Sequence, residues 1–263
     1  MENETPHTVF LIPYRDRVKE AKYFMAYFEH YVKKQPNMDS GAIFFFCHQS
    51  DTRPFNRGAM KNLGFLTIKE LYPETWKDIT LVFHDVDCYP QKHVKLPYTT
   101  EKGTVTHYYG FKQTLGGIVV INAEDFDNIG GYPNFWGWGY EDNTLALRVV
   151  ENNIKIDRDL FYDVHDDSNF TRLDQKDEKK IVSKNDTITF KNAEFDTFND
   201  IKNISKNVDK NKNVIHFFHF TSKLPCPQHS EMQIFDLRDG QPDLVNYLHR
   251  RGTFRSGRRW GLS

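Results

Sequence analysis

Cysteine is scarce: Cys47, Cys88 and Cys226 are the three present in 263 residues. An odd number at wide spacing offers neither a disulfide framework nor a zinc pattern. Cys47 and Cys88 lie in or just after apolar runs, so buried free thiols are expected, and a reducing compartment suits them. Long hydrophobic runs are missing too. No stretch of about 18 apolar residues occurs, so no membrane span is expected in this sequence. The polar segment Met1 to His7 lacks the apolar core of a signal peptide, which gives the expectation of a soluble chain. A basic excess is also absent. Lys and Arg number 35 against 36 Asp and Glu, for a formal net charge of -1. A general nucleic-acid binder, which must neutralise phosphates, is therefore excluded. No internal repeat is visible.

Aromatic residues, in contrast, reach 15%, with 22 Phe and 13 Tyr. Most of the Phe residues belong to a core, while the Trp residues are open to a second role as platforms for sugar rings. A chain of this size can bury a substantial core as one domain over 1–263. Its parts would be a nucleotide-binding portion at about 8–90, a donor and acceptor portion at about 91–220, and a tail at about 240–263.

Val9 to Ile12 reads as a buried strand stopped by Pro13. Val18 to Lys34 has helical spacing at Phe24, Tyr27, Phe28 and Tyr31. Ala42 to Cys47 is a second strand, Asn56 to Leu71 a helix capped by Asn56, and Ile79 to Phe83 a third strand. This β-α-β-α-β order predicts an α/β fold with parallel strands and crossover helices. Such sheets bind ligands beyond the carboxyl ends of their strands, where Arg15 to Arg17, His48 to Arg57 and His84 to Asp87 would gather. Further on come a strand over Gly116 to Ile121, a short helix over Glu124 to Ile129, a loop over Gly130 to Gly139 and a helix over Glu141 to Glu151. Leu145, Ala146, Val149 and Val150 would form that helix's inner face. Residues 166–213 read as exposed helix and loop, and Val214 to Phe220 as a late strand. The five Arg between Arg250 and Arg259 read as a solvated tail.

Several residues could carry chemistry. In an extended chain Asp85 and Asp87 share one side, and beyond a buried strand they suit a divalent cation or a ribose. Asp163 and His165 share a side likewise. With Asp87 they could complete a site of oxygen and nitrogen donors that favours Mn²⁺. A surface turn is the alternative. Glu141 and Asp142 open a helix, where the dipole favours their ionised forms, and a carboxylate there can take a proton from a sugar hydroxyl. Trp136 to Gly139 places two indoles between glycines, as expected of an aromatic loop that closes over a ligand. Arg15, Arg17 and Arg57 suit a diphosphate. His216 and His219, three apart on a strand, face opposite sides and read as structural.

In that order the segments resemble the β-1,4-galactosyltransferase family of inverting GT-A enzymes. Ile12 to Arg17 resembles I-P-F/Y-R-x-R, Phe55 to Ala59 resembles F-N-R-x-x, and Phe83 to Asp87 resembles F-x-D-V-D. Gly116 and Gly117 match a G-G pair, and Trp136 to Asp142 resembles W-G-W-G-x-E-D. Phe161 to Asp166 with Arg172 to Gln175 is similar to the xylosylprotein galactosyltransferase branch, where Asp163 replaces the first histidine of H-x-H.

The resemblance implies a GT-A, Rossmann-like, mostly parallel sheet flanked by helices. It also implies Mn²⁺ held by Asp87 and His165, with Asp163 beside them. Asp142 would be the catalytic base and Glu141 would hold the acceptor, with Tyr140 next to them shaping acceptor choice. Pro13, Tyr14, Arg15, Arg17, Phe55, Arg57, Asp85, Val86, Asp87, Thr114, Gly116, Gly117 and Trp138 would surround a UDP-sugar. Thr114, where galactose-transferring members carry Tyr, leaves room for N-acetylgalactosamine. The implied reaction moves galactose or N-acetylgalactosamine onto a saccharide or glycoconjugate hydroxyl with inversion. A silent sugar- or nucleotide-binding protein and a UDP-sugar hydrolase are the alternatives. Animal members are Golgi-anchored and disulfide-bonded, features absent here, so a cytoplasmic viral or bacterial enzyme is expected; a lumenal chain separated from its anchor stays open.

Overall fold

A computed structural model of the chain describes residues 5–36, 38, 41–173 and 179–236. Asp174, Gln175 and the arginine-rich tail lie outside the described residues. The elements run β1 (Thr8–Tyr14), α1 (Val18–Tyr27), β2 (Ala42–Gln49), α2 (Arg57–Leu71), β3 (Thr80–His84), β4 (Cys88–Pro90), β5 (Thr104–Gly110) and β6 (Ile118–Asn122). They continue α3 (Ala123–Asn128), α4 (Glu141–Glu151), β7 (Lys155–Asp157), β8 (Tyr162–Asp163) and β9 (Phe170–Arg172). The last are β10 (Lys179–Ser183), α5 (Lys184–Asn192), β11 (Lys202–Asp209), β12 (Val214–Thr221) and β13 (Met232–Asp236).

The main sheet has the order β11-β12-β2-β1-β3-β6-β5-β7, with β8 also beside β5. Strands β12, β2, β1 and β3 run parallel, as do β7 and β8 to β5, while β6 is antiparallel to both its neighbours and β11 to β12. This is the mostly parallel α/β sheet expected. Because strand residues alternate between faces, Val9, Leu11, Phe45, Cys47, Leu81 and Phe83 join one core with α2. Phe10, Ile12, Phe44, Phe46 and Val82 join the other with Phe24, Tyr27 and Phe28. Both faces are covered, which is why these strands read as continuous apolar runs.

Asn56 caps α2, its side chain accepting from the Ala59 N–H at 2.8 Å. Such a cap stabilises by about 1 kcal/mol. Pro13 does not stop β1: the strand runs to Tyr14. It lies beyond the last β3 partner, Leu11, where only the β2 side is laddered and a missing N–H costs less. Tyr31 is 40% exposed, because a π-helical turn over Phe28–Val32 rotates it away from the face that buries Phe24 and Phe28. The segment 166–213 holds more regular structure than expected, including β11 at the sheet edge. Cys47, Cys88 and Cys226 are free thiols. No described helix is long and apolar enough to cross a membrane.

Candidate active site

A cavity of about 730 Å³ opens at the carboxyl ends of β1, β2 and β3. All three expected polar clusters reach it: Arg15 and Arg17 after β1, Thr52, Arg53 and Arg57 after β2, Asp85 and Asp87 after β3. Pro13, Phe55, Val86, Trp138 and Glu141 line it as well. Arg15 is set by a bond from its guanidinium to the Arg53 carbonyl at 2.5 Å and by the Phe55 ring at 5.1 Å. Asp85 to Asp87 form a turn rather than an extended strand, yet both aspartates line the cavity. His84 does not join them. It is fully buried among Phe10, Phe24 and Tyr98, and burial drops its pKa to about 4.

Arg57 is the centre of the charged wall. It is the first residue of α2, and its guanidinium reaches Glu141 Oε1 at 2.7 Å, Asp142 Oδ2 at 3.0 Å and Asp85 Oδ2 at 3.4 Å. Burial opposes its charge, but Asp85, Glu141 and Asp142 together outweigh it and raise its pKa well above the usual range. Lys61, one turn along the same helix, adds a contact to Asp142 Oδ1 at 3.3 Å. Lys61 was not legible as a site residue, although the i, i+4 spacing from Arg57 puts it on the same helix face.

Glu141 is 2% exposed, and its Oε2 is buried without a hydrogen-bond partner. Contrary to expectation, the helix dipole does not keep it readily ionised. Burial comes first and Asp142 adds to it, so its pKa is raised despite the Arg57 charge. Asp142 does not line the cavity; it packs against Gly116, where an added Cβ would lie 2.2 Å from Asp142 Oδ2. Gly117 has φ +72°, a conformation that favours glycine, and its carbonyl accepts from the Asp85 N–H at 2.9 Å. The Gly116–Gly117 turn thus touches both acidic segments.

The aromatic loop is anchored at several points. Trp136 is 1% exposed, stacks on Phe220 and donates its indole N–H to the Leu224 carbonyl at 3.1 Å. It belongs to the core. The Trp138 N–H donates to the Ile181 carbonyl at 2.7 Å. Tyr140, at φ +69°, stacks on Phe190 of α5 at 4.5 Å. Lys180, Ile181, Pro227, His229 and Met232 complete the cavity, a wall that sequence reasoning missed. It rests on the β10–β13 pairing, and pairing between distant short strands leaves no local signal. Asp186 is a further missed residue, 4% exposed near Glu141 and Trp136. Burial, then the Glu141 charge, pushes its pKa up to about 9.

Tyr14 packs on Phe46 and His48 rather than lining the cavity, and Thr114 also lies off it, its hydroxyl donating to the Phe111 carbonyl. His216 faces His48, their Nδ1 atoms 3.0 Å apart, while His219 is exposed. The expected metal set is not assembled. Asp163 and His165 are exposed on either side of buried Val164, as alternation predicts, but the Asp163 carboxylate accepts from the His165 N–H at 3.1 Å. Among the described residues no three His, Cys, Asp or Glu side chains gather to hold a metal ion. The physical reason is local: β8 is a two-residue strand beside β5 whose acidic side chain closes its own turn. Asp87 alone of the three lines the cavity.

Two family models match the chain. The N-terminal region of glycosyl transferase group 7 matches residues 3–100, and the model described as an N-terminal domain of galactosyltransferase matches 99–172. The human "Beta-1,4-galactosyltransferase 4" is 32% identical over 163 residues, 57% of this chain and 44% of that protein. A Caenorhabditis elegans "Xylosylprotein 4-beta-galactosyltransferase" is 27% identical over 158 residues, 56% of this chain and 52% of that protein. The chain thus spans about half the length of these relatives. In structure, the catalytic domain of Drosophila beta1,4galactosyltransferase 7 aligns with TM-score 0.62 and 19% identity, covering 84% of this chain and 96% of that one. A mutant of that fly enzyme was solved with manganese, UDP-Gal and xylobiose. At that identity the likeness speaks for the fold.

Proposed function

The chain belongs to the group 7 family of galactosyltransferases, and from that premise we propose that it is an inverting, metal-dependent transferase. It moves galactose or N-acetylgalactosamine from UDP to a saccharide hydroxyl. The observation that carries this reading is the Arg57 cluster, which ties the cavity-lining Asp85 and Glu141 to Asp142 beside a cavity also reached by Arg15 and Arg17. Arginines there suit the diphosphate, since guanidinium forks match phosphate oxygens. The orphan Oε2 of Glu141 suits an acceptor hydroxyl, because a buried acceptor without a partner gains most from a donor.

Asp142 takes the acceptor proton as the acceptor oxygen bonds to the anomeric carbon and the bond to the UDP oxygen breaks. Single displacement on an α-linked donor gives a β-linked sugar. Pro13, Phe55, Val86 and Trp138 bound the donor. Tyr140, held against Phe190, borders the acceptor side. The fly relative's complex with manganese supports a Mn²⁺ requirement; Asp87 would hold the ion at the cavity wall, with Asp163 and His165 as the further ligand candidates, and the bound ion would offset charge on the departing UDP.

The test is UDP release from UDP-galactose and UDP-N-acetylgalactosamine with Mn²⁺, with and without a panel of xylosides, glucosides and N-acetylglucosaminides. Acceptor-dependent release is the expected result. Equal release without acceptor would make the chain a hydrolase, and no release with tight UDP binding would make it a silent binder.

A further inference from the structure

Behind the Gly116–Gly117 turn lies a group of side chains that none of the roles above uses. His107 on β5 is fully buried. Its Nε2 lies 3.1 Å from the Tyr109 carbonyl and 3.0 Å from the Gly116 carbonyl, and its Nδ1 lies 3.2 Å from Arg158 Nε. These partners fix its proton. Two carbonyls can only accept, so Nε2 carries the hydrogen; the Arg158 Nε–H can only donate, so Nδ1 offers a lone pair. An imidazolium would set a second N–H against the guanidinium, and burial followed by the Arg158 charge accordingly lowers its pKa to about 3. Arg158 also donates from Nη2 to the Thr114 carbonyl at 3.4 Å, and both residues pack on Phe161.

The position of this brace gives it meaning. The β5–β6 pairing slips between His107 and Tyr109, a bulge of the kind that re-aims a strand end. The imidazole ties that slipped strand to the far side of the turn. On its front the turn meets the reacting groups: the Leu115 N–H donates to the Asp142 carbonyl at 3.1 Å, the Asp85 N–H to the Gly117 carbonyl at 2.9 Å, and Gly116 abuts the Asp142 carboxylate. We propose that His107 and Arg158 are positioning residues for sugar transfer: by holding the 111–117 turn from behind, they set where Asp142 and Asp85 stand against the donor.

This inference rests on the transferase reading, so its test carries a readout independent of turnover. His107→Phe keeps a ring at the position and removes the bond to the Gly116 carbonyl of the turn together with the acceptor for Arg158. Arg158→Gln keeps one N–H donor for the imidazole, and Arg158→Met keeps none. Misplacement of a reacting group by about 1 Å can cost on the order of 100-fold. Folded His107→Phe should therefore lose about 10- to 100-fold in kcat with the donor KM within about 3-fold. Arg158→Gln should recover most of what Arg158→Met loses. By NMR the Gly116 and Gly117 amides and the Asp142 carboxyl carbon should shift in His107→Phe and in Arg158→Met. A kcat within about 2-fold of wild type in folded His107→Phe, or equal losses in the two Arg158 variants, would overturn the inference. Should wild type transfer no sugar, the transferase reading has failed, and the resonances decide alone: unmoved Gly116 and Asp142 signals overturn the positioning role, and moved ones support it. If His107→Phe does not fold, the Arg158 pair decides by the same criteria.

Discussion

Two acidic regions of this molecule have nearly the same sequence grammar and different fates. Asp85 and Asp87 are spaced like Asp163 and His165, each pair flanking a buried valine, Val86 and Val164. The first pair lines the cavity beside Arg57, which ties Asp85 to Glu141 and Asp142. The second is exposed, and Asp163 spends an oxygen on its own turn. The spacing is not what separates them. An arginine arriving from another element turns one pair into part of a charged assembly, while in the other the Asp163 carboxylate bonds within its own turn.

The comparison predicts that damage in the Arg57 region is costly and damage at β8 is mild. Asp142→Asn should have the largest effect on turnover. Loss of a general base costs 10²- to 10⁴-fold, so transfer should fall by about 1,000-fold while UDP binding, followed by calorimetry, stays near wild type. Arg57→Met should follow, with transfer down about 100-fold. Removing one member of a partly buried ion cluster leaves carboxylates facing each other, so urea unfolding should show a loss of about 2 kcal/mol. Asp163→His should act in the opposite sense. By offering an imidazole beside His165, it should lower the Mn²⁺ concentration for half-maximal transfer by about 10-fold and leave the melting temperature unchanged. No change in Mn²⁺ demand would mean that β8 is not part of a metal site.

Asp186→Asn should have the smallest effect and sharpens the electrostatic side. Asp186 has a folded pKa raised to about 9 from 3.8, so between those values the folded state binds more protons than the unfolded chain. Stability from this group is full below about pH 4 and is lost as pH rises toward 9. The amide keeps a neutral side chain, so at pH 9 the variant should melt about 2–4 °C higher than wild type, equivalent to about 1 kcal/mol. Near pH 5 the gain should be smaller. A gain that does not depend on pH would argue against the charge explanation.

The parallel half of the fold was readable because both faces of β1, β2 and β3 are covered, leaving aliphatic and Phe runs. Strand β5 escaped because Thr104–Gly110 mixes Thr, His and Tyr, and its buried polar groups need partners that only the folded chain supplies. Strand β11 escaped because, as an edge, it shows few apolar residues. Arg57 was visible as a donor-side candidate from the segment Phe55 to Ala59, but its pairing with Glu141 spans 84 residues. For the same reason the buried state of Glu141 could not be read from its place at a helix start. The wall from Lys180 to Met232 lies beyond the residues matched by the family models.

The most direct test of the account is the anomeric configuration of the product. Wild-type protein, α-linked UDP-sugar, Mn²⁺ and an acceptor selected by the UDP-release screen should give a β-linked disaccharide by proton NMR, lost in Asp142→Asn. An α-linked product, or a β-linked product formed at an undiminished rate by Asp142→Asn, would contradict single displacement with Asp142 as the base.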